Sequence, residues 1–176
     1  EMPLVSLELH NIRVYEHAQL EPSPHLNLIS GANASGKTTL LEAIHLLGTG
    51  RSFRTAQAEQ AGRDGSSSFS IAGKLQKEGG ETVRLGLIHC IDGRRVSING
   101  LEQKQASSLA LHLPLQVISP DTHYDFQQNA KHRRSVLDWG LFHVEPDFSG
   151  LWTRYQRILH QRNAALKARG QIKARY

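Results

Sequence analysis

The sequence predicts an α/β fold in which a glycine-rich loop joins a strand to a helix and an antiparallel β block follows. Two short segments near the start have strand character, and the second, residues 26–29, runs into a glycine. Residues 36–47 then place apolar side chains at helical spacing. Further along, strand-like segments separated by glycine turns are typical of antiparallel sheets.

The first predicted elements are two strands and one helix. Residues 4–12 alternate apolar and polar side chains, as a strand with one buried face does, and residues 26–29 form the second strand. The helix over 36–47 carries an apolar stripe and is followed by glycines that favour a C-terminal stop. The stripe consists of Leu40, Leu41, Ala43, Ile44 and Leu47, and the stop glycines are Gly48 and Gly50.

The middle of the chain predicts an antiparallel meander added to this core. Residues 69–75, 82–89 and 95–98 have strand character, and glycine turns separate them. The dipeptide at 99–100, Asn-Gly, favours a tight turn. Residues 113–118 form one more short apolar segment, which predicts a further strand.

The C-terminal part predicts helices with basic surfaces. Residues 133–141 and 151–168 have helical periodicity, and Lys and Arg outnumber Asp and Glu after residue 130. We therefore divide the chain into an α/β lobe over residues 2–130 and the beginning of a helical lobe over residues 131–176. The expected apolar stripe of the second helix is Leu151, Trp152, Tyr155, Ile158, Leu159 and Leu166. The aromatic residues expected to pack the helices together are Trp139, Trp152, Phe142 and Phe148.

The stretch between the predicted strand and helix fits the pattern G-x-x-x-x-G-K-[ST] of phosphate-binding loops. Glycines let successive amide N–H groups turn toward a phosphate, and the helix adds its positive N-terminal end. We expect Lys37 to reach the β- and γ-phosphates of ATP and the Thr38 hydroxyl to bind Mg²⁺. The predicted cofactor-binding residues are Gly31, Ala32, Asn33, Ala34, Ser35, Gly36, Lys37, Thr38 and Thr39.

The sequence contains this loop without the motifs that complete a hydrolytic site. It has no N-K-x-D segment to read guanine and no S-x-G-Q segment. The nearest acidic residue at the end of an apolar segment is Asp92, but His89 interrupts that segment and a turn glycine follows. We therefore assign no catalytic residue and expect ATP binding with little or no turnover.

Composition narrows the class of protein. The single cysteine, Cys90, cannot form an internal disulfide, and no segment predicts a membrane span or a secretory leader, so we expect a cytoplasmic protein with no membrane partner. A net charge of +5 and a pI near 9.6 are compatible with a nucleic-acid partner. Histidines such as His10, His17, His25 and His45 are scattered, which predicts no metal cluster.

Five ordered segments together resemble the N-terminal half of the RecF family of DNA repair ATPases, which is related to SMC and ABC-type ATPases. The resemblance runs over nearly the whole chain. Its segments are residues 9–15 (L-H-N-I-R-V-Y), the phosphate loop with Leu41-Glu42-Ala43-Ile44, residues 50–54 (G-R-S-F-R), Pro120-Asp121 with Arg133-Arg134 and residues 137–140 (L-D-W-G), and residues 161–167 (Q-R-N-A-A-L-K).

This resemblance implies lobe I of an ABC/SMC-type ATPase head, with the antiparallel block and the start of the helical lobe. It implies an ATP-dependent homodimer that binds double-stranded DNA at single-strand gaps. Such a protein works with RecR and RecO in recombination, replication restart and the SOS response, and is associated with the nucleoid. In the family the signature segment and the Mg²⁺-binding acidic strand lie further along than residue 176, so the chain is expected to be a fragment.

Five arginines are candidate ligand contacts. The resemblance implies that Arg13 approaches the nucleotide, and a structural surface role is the alternative. Arg51 and Arg54 either face DNA phosphates or lie in a solvated loop. Arg133 and Arg134 either contact DNA or ATP or pair with nearby carboxylates. Two other functions stay open, a passive nucleic-acid binding module and a different P-loop enzyme such as a nucleotide kinase.

Overall fold

A computed structural model describes residues 2–77, 79–119, 130–145 and 147–173, with the side chains of 131–132 and 168–173 outside the description. The chain divides into two compact units, Glu1–Val117 and Ile118–Tyr176. The family-like segment at Pro120-Asp121 lies outside the described residues. The lobe boundary at residue 130 stays a prediction.

The first unit is built on a six-stranded sheet in which every neighbouring pair is antiparallel. The strand order is β2-β1-β3-β4-β5-β6. The predicted meander is therefore confirmed. The strands are β1 Leu4–Ile12, β2 Tyr15–Leu20, β3 Phe69–Gln76, β4 Thr82–Cys90, β5 Gly93–Ile98 and β6 Leu101–Gln103.

The helix α1, Lys37–Thr49, packs against one face of this sheet, where it contacts β1, β3 and β4. It ends at Gly50, whose φ of 67° lies in the left-handed region and whose N–H donates to the Leu46 carbonyl at 2.8 Å. That is the glycine cap expected of a helix end. A 3-10 helix, Ala58–Ala61, and a short helix α2, Ser107–Ala110, follow later in the chain.

The hydrophobic core lies between the sheet and α1, as the alternating pattern of β1 requires. Leu7 and Leu9 point inward from β1, while Glu8 and His10 between and after them lie on the other face. The other fully or nearly fully buried apolar residues include Ile12, Ala43, Leu46, Leu47, Ala61, Phe69, Ile71, Leu75, Leu85, Leu87 and Leu109.

The close approach of α1 to the sheet depends on a glycine in β3. A Cβ added at Gly73 would lie 2.4 Å from Leu47 Cδ2 and 3.0 Å from Leu4 Cδ1. Because Leu47 is fully buried, its side chain has no open space into which to move. Gly73→Ala is expected to reduce the free energy of unfolding by about 1–3 kcal/mol, as overpacking of a core does. Urea unfolding followed by circular dichroism measures the change.

The matched control for this substitution is the next residue of the same strand. Ala72 is exposed on the opposite face. Ala72→Ser is expected to change the free energy of unfolding by no more than about 0.5 kcal/mol. Equal stability of Gly73→Ala and the parent chain would contradict the tight packing described between β3 and α1.

Two predicted strands are wrong. Residues 26–29 lie in an irregular segment in which Leu26 and Leu28 are 83% and 92% exposed. Residues 113–118 are also irregular, although Leu113 is buried against the core. A strand needs a neighbour to satisfy its N–H and C=O groups, and no described strand pairs with either segment.

One strand was missed by the sequence analysis. Residues Tyr15–Leu20 form the edge strand β2, which pairs with β1 in the register His10 opposite His17 and Leu7 opposite Leu20. Its composition includes Glu16, His17 and Gln19, none of which favours a strand strongly. Pairing with β1 across a short turn decides its conformation.

In its described residues, 118–119, 130–145 and 147–173, the second unit contains the helices α3 Ala130–Val144 and α4 Phe148–Lys173, which agree with the predicted helices. Trp152 in α4 donates from Nε1 to Asp138 Oδ2 in α3 at 3.2 Å, so it holds the two helices together as expected. Most of the predicted stripe of α4 is nonetheless exposed, including Leu151, Tyr155 and Ile158. In the described residues, no helix combines the length and the hydropathy needed to cross a membrane.

Candidate nucleotide-binding site

The glycine-rich loop adopts a backbone that turns sharply into α1. Gly31 has φ 151°, Ala34 has φ 63° and Gly36 has φ 95°, all in regions that L side chains rarely adopt. The helix begins immediately afterwards at Lys37. This geometry confirms the prediction that a glycine loop leads directly into a helix. The strand expected before the loop, at residues 26–29, is not formed.

The N-terminal end of α1 is suited to bind an anion. The first intrahelical bond runs from the Leu40 N–H to the Gly36 carbonyl, so the three preceding N–H groups of the helix lack such partners. Among the described residues no side chain caps Gly36, and the first turn contains no acidic residue. The positive end of the helix dipole therefore faces a loop that has no competing negative charge.

Lys37 lies across the loop that precedes it. Its Nζ donates to the carbonyl oxygen of Gly31 at 2.8 Å and to that of Ala32 at 2.6 Å. The ammonium charge is thus held within the loop, where a phosphate would meet both it and the amides of the helix end. These contacts link the two ends of the loop.

The predicted loop residues differ in their access to solvent. Residues 31–35 and Thr38 are exposed, and Lys37 is partly exposed. Gly36 and Thr39 are buried, and Thr39 is only 4% exposed. The open residues and the Thr38 hydroxyl fit a triphosphate with Mg²⁺, whereas the Thr39 side chain lies in the interior of the domain.

Tyr15 is a neighbour of the loop that the sequence analysis did not assign to the site. A Cβ added at Gly36 would lie 2.6 Å from the Tyr15 hydroxyl oxygen and 2.8 Å from Cζ. Gly36 is therefore required both by its positive φ and by the ring that rests against it. The family-like segment 9–15 includes Tyr15, which was the one signal available in the sequence.

A buried carboxylate lies on α1, about one turn beyond the loop. Glu42 is 0% exposed, and its two oxygens accept four hydrogen bonds from three side chains. Arg13 donates from Nε at 3.2 Å and from Nη2 at 3.0 Å, Arg54 donates from Nη1 at 3.0 Å, and the Ser52 hydroxyl donates at 2.5 Å. We call Glu42, Arg13, Ser52 and Arg54 the Glu42 cluster.

Charge and hydrogen bonding decide the protonation state of this carboxylate. Burial raises the pKa of Glu42, but hydrogen bonds from Arg13 and Ser52 and the charges of Arg13 and Arg54 outweigh it and leave the pKa below its ordinary value. Glu42 is therefore ionised at neutral pH. It anchors the turn after β1 and the segment after α1 to the helix that starts at the loop.

The candidate arginines lie in different surroundings. Arg13 and Arg54 both pair with Glu42, with side chains 23% and 39% exposed. The Arg51 side chain is exposed, while its carbonyl accepts a bond from His45 Nδ1 at 2.7 Å. Arg133 and Arg134 are exposed on α3 in the second unit, and Arg133 has an interaction partner. The ligand contacts predicted for these five residues stay predictions.

The sequence matches a known domain family over most of its length. The profile of the AAA domain family matches residues 6–166. Curated relatives include the DNA replication and repair protein RecF of Nitrosococcus oceani, 43% identical over 94% of this chain and 46% of its own length. RecF of Thioalkalivibrio sulfidiphilus is 40% identical over 96% of this chain and 47% of its own. The chain thus spans about half the length of these relatives.

Solved structures agree with these matches. One, described as the recombination mediator protein RecF-ATP in the RecFOR pathway, superposes with a TM-score of 0.80 at 27% identity, over 94% of this chain and 45% of that one. Another, described as RecF-ATPrS in the same pathway, gives a TM-score of 0.79 at 28% identity, with the same shares covered. The predicted fold class and the resemblance noted in the sequence are both confirmed.

Proposed function

Because the chain belongs to the AAA domain family and corresponds to the N-terminal part of RecF proteins, we propose that it is the ATP-binding part of a DNA replication and repair protein. The observation that carries the proposal is the loop 31–38 at the open start of α1, with Lys37 Nζ held inside it. The description of a solved relative as RecF-ATP supports the choice of nucleotide.

Binding of ATP uses groups that this chain supplies. The N–H groups at the start of α1 and the Lys37 ammonium bind the β- and γ-phosphates, for which Lys37 exchanges its bonds to the Gly31 and Ala32 carbonyls. The exposed Thr38 hydroxyl would hold Mg²⁺, an ion that would neutralise phosphate charge. Arg13 acts near the nucleotide through the Glu42 cluster.

In the full-length protein, ATP binding drives dimerisation. The γ-phosphate held by this loop is capped by the opposite subunit, so the dimer is favoured only while the triphosphate is intact. Hydrolysis then weakens the hold on DNA. The chain described here binds ATP with little or no turnover, since its sequence contains the loop and no recognised signature segment or acidic strand.

The proposed partner is double-stranded DNA next to a single-strand gap, in recombination, replication restart and the SOS response. The net charge of +5 favours a phosphate backbone, and Arg51, Arg133 and Arg134 present exposed cationic groups. RecR and RecO are proposed partners because a solved relative is described within the RecFOR pathway. We place the protein in the cytoplasm, at the nucleoid.

The function is tested by fluorescence anisotropy of a gapped DNA duplex titrated with the chain, with and without ATP and Mg²⁺. We expect the chain to bind this DNA less tightly as salt increases and several-fold more tightly with ATP. Release of phosphate from ATP, measured in parallel, should stay at background. The slope of log K against log salt concentration is negative, and Arg51→Ala is expected to make it shallower by about 1, because one phosphate contact is lost.

Arg84→Ala is the matched control, because Arg84 is an exposed arginine of the sheet. It should leave both the salt slope and the ATP effect unchanged. Equal DNA affinity with and without ATP would favour a passive nucleic-acid binding module. Phosphate transfer from ATP to a small acceptor by the monomer would instead identify a nucleotide kinase.

A further inference from the structure

Two histidines and a glutamate meet on the outer face of the β1–β2 hairpin. His10 and His17 lie directly opposite each other in the strand register, and Glu8 lies two residues before His10 on the same face. Glu8 Oε1 is 2.9 Å from His10 Nε2 and 3.6 Å from His17 Nε2. The two imidazole rings have centroids 4.5 Å apart.

We propose that Glu8, His10 and His17 form a binding site for a divalent transition-metal ion of the Zn²⁺ class. The three side chains each offer one ligand atom, and these atoms lie within 4.8 Å of one another. Zn²⁺ binds imidazole nitrogen and carboxylate oxygen at about 2.0–2.2 Å, which places neighbouring tetrahedral ligands about 3.3–3.5 Å apart. The separations of 2.9 and 3.6 Å from Glu8 Oε1 to the two imidazole nitrogens lie close to that range, and the shorter one is a hydrogen bond between Glu8 and His10 that an ion would replace.

The surroundings of the three ligands leave room for an ion. Their side chains are 46%, 47% and 53% exposed, so small rotations about χ angles bring the donor atoms to ideal distances. In the neighbouring strand β3, the residues opposite His10 and Glu8 are Ser70 and Ala72. Both are small, so they leave space beside the three ligands. Three protein ligands leave one tetrahedral position for water.

The donor set selects the class of metal. Two imidazoles suit Zn²⁺ and its neighbours in the first transition row, while Mg²⁺ and Ca²⁺ prefer sites made only of oxygen. This site is separate from the phosphate loop and from the Mg²⁺ proposed there, because Glu8 and His10 lie on the sheet face opposite the core. The ion would join β1 to the edge strand β2, whose Tyr15 touches Gly36.

The test is isothermal titration of the metal-free chain with Zn²⁺, compared with His17→Ala. We expect one Zn²⁺ per parent chain at this site and an affinity loss of about tenfold or more in the variant. Thermal unfolding with and without Zn²⁺ gives a second readout, because binding to the folded chain raises Tm in the parent and not in His17→Ala. Glu8→Gln is expected to weaken binding as well.

His25→Ala is the matched control, since His25 is an exposed histidine of the same unit that lies outside the cluster. It should bind Zn²⁺ as the parent does. Circular dichroism of metal-free His17→Ala should match the parent, which separates loss of a ligand from loss of the fold. Equal Zn²⁺ affinity of His17→Ala and the parent, or an equal loss in His25→Ala, would overturn the proposal.

Discussion

Lys37→Ala is expected to weaken ATP binding by about 100-fold or more. The ammonium makes two hydrogen bonds inside the loop, to Gly31 and Ala32 carbonyls, and would exchange them for two phosphate oxygens. A hydrogen bond to a charged group contributes about 1.5–3 kcal/mol, and each 1.4 kcal/mol corresponds to a tenfold change in affinity. Calorimetric titration with ATP and Mg²⁺ measures the loss.

Lys104→Ala controls for the loss of one positive charge, because Lys104 is an exposed residue just after β6. It is expected to bind ATP as tightly as the parent chain. Thermal unfolding of Lys37→Ala should stay close to that of the parent, since Lys37 is partly exposed and bonds only to its own loop. ATP binding that survives in Lys37→Ala would falsify the assignment of the loop as the nucleotide site.

Glu42→Gln is expected to reduce the free energy of unfolding at pH 7 by about 3 kcal/mol. Removing the charge of one partner in a buried ion pair costs about 3–5 kcal/mol, because the remaining charge is left without compensation. The lower end of that energy range applies here, because the Arg13 and Arg54 side chains are 23% and 39% exposed to water. Urea unfolding followed by circular dichroism gives the difference.

The effect of this substitution should depend on pH with a defined sign. The pKa of Glu42 in the folded chain lies below its ordinary value of 4.5, so the carboxylate stabilises the fold fully above that value. As pH falls below 4.5 and through the folded pKa, the stabilisation is lost. The difference in free energy of unfolding between the parent chain and Glu42→Gln is therefore expected to be largest near neutral pH and to shrink in acid.

The control for a surface ion pair is Glu81→Gln. Glu81 pairs with Lys77 at 2.9 Å, but both side chains are largely exposed, at 67% and 47%. Such a pair contributes about 0–1 kcal/mol, so the substitution should have little effect at any pH. If Glu42→Gln were as mild as Glu81→Gln, the Glu42 cluster would not be the anchor that its geometry indicates.

The predictions that held rest on local rules. The glycine pattern at 31–38 predicts a loop with positive φ angles and an open helix start, and Gly31, Gly36 and α1 show both. The alternating segments at 69–75 and 82–89 predict strands, and glycine turns close the meander. In each case residues close in sequence determine the conformation, because φ/ψ preference and side-chain periodicity act over a few residues.

The wrong predictions concern segments whose state depends on distant partners. Residues 26–29 have the apolar character of a strand, yet no described strand pairs with them. Residues 15–20 look too polar for a strand, yet β1 pairs with them along their length. Apolar composition cannot reveal whether a neighbouring strand is available, and that availability decides between strand and irregular backbone.

The sequence by itself determined the phosphate loop, the helix after it and the antiparallel meander, because backbone strain and periodicity are local properties. Only the tertiary structure decided that Glu42 is buried beneath Arg13, a residue 29 positions away, and Arg54. It also decided that His10 and His17, scattered in the sequence, lie side by side across a hairpin. Strand register and burial arise from contacts between remote segments, and these set both the charge of a carboxylate and the neighbours of a histidine.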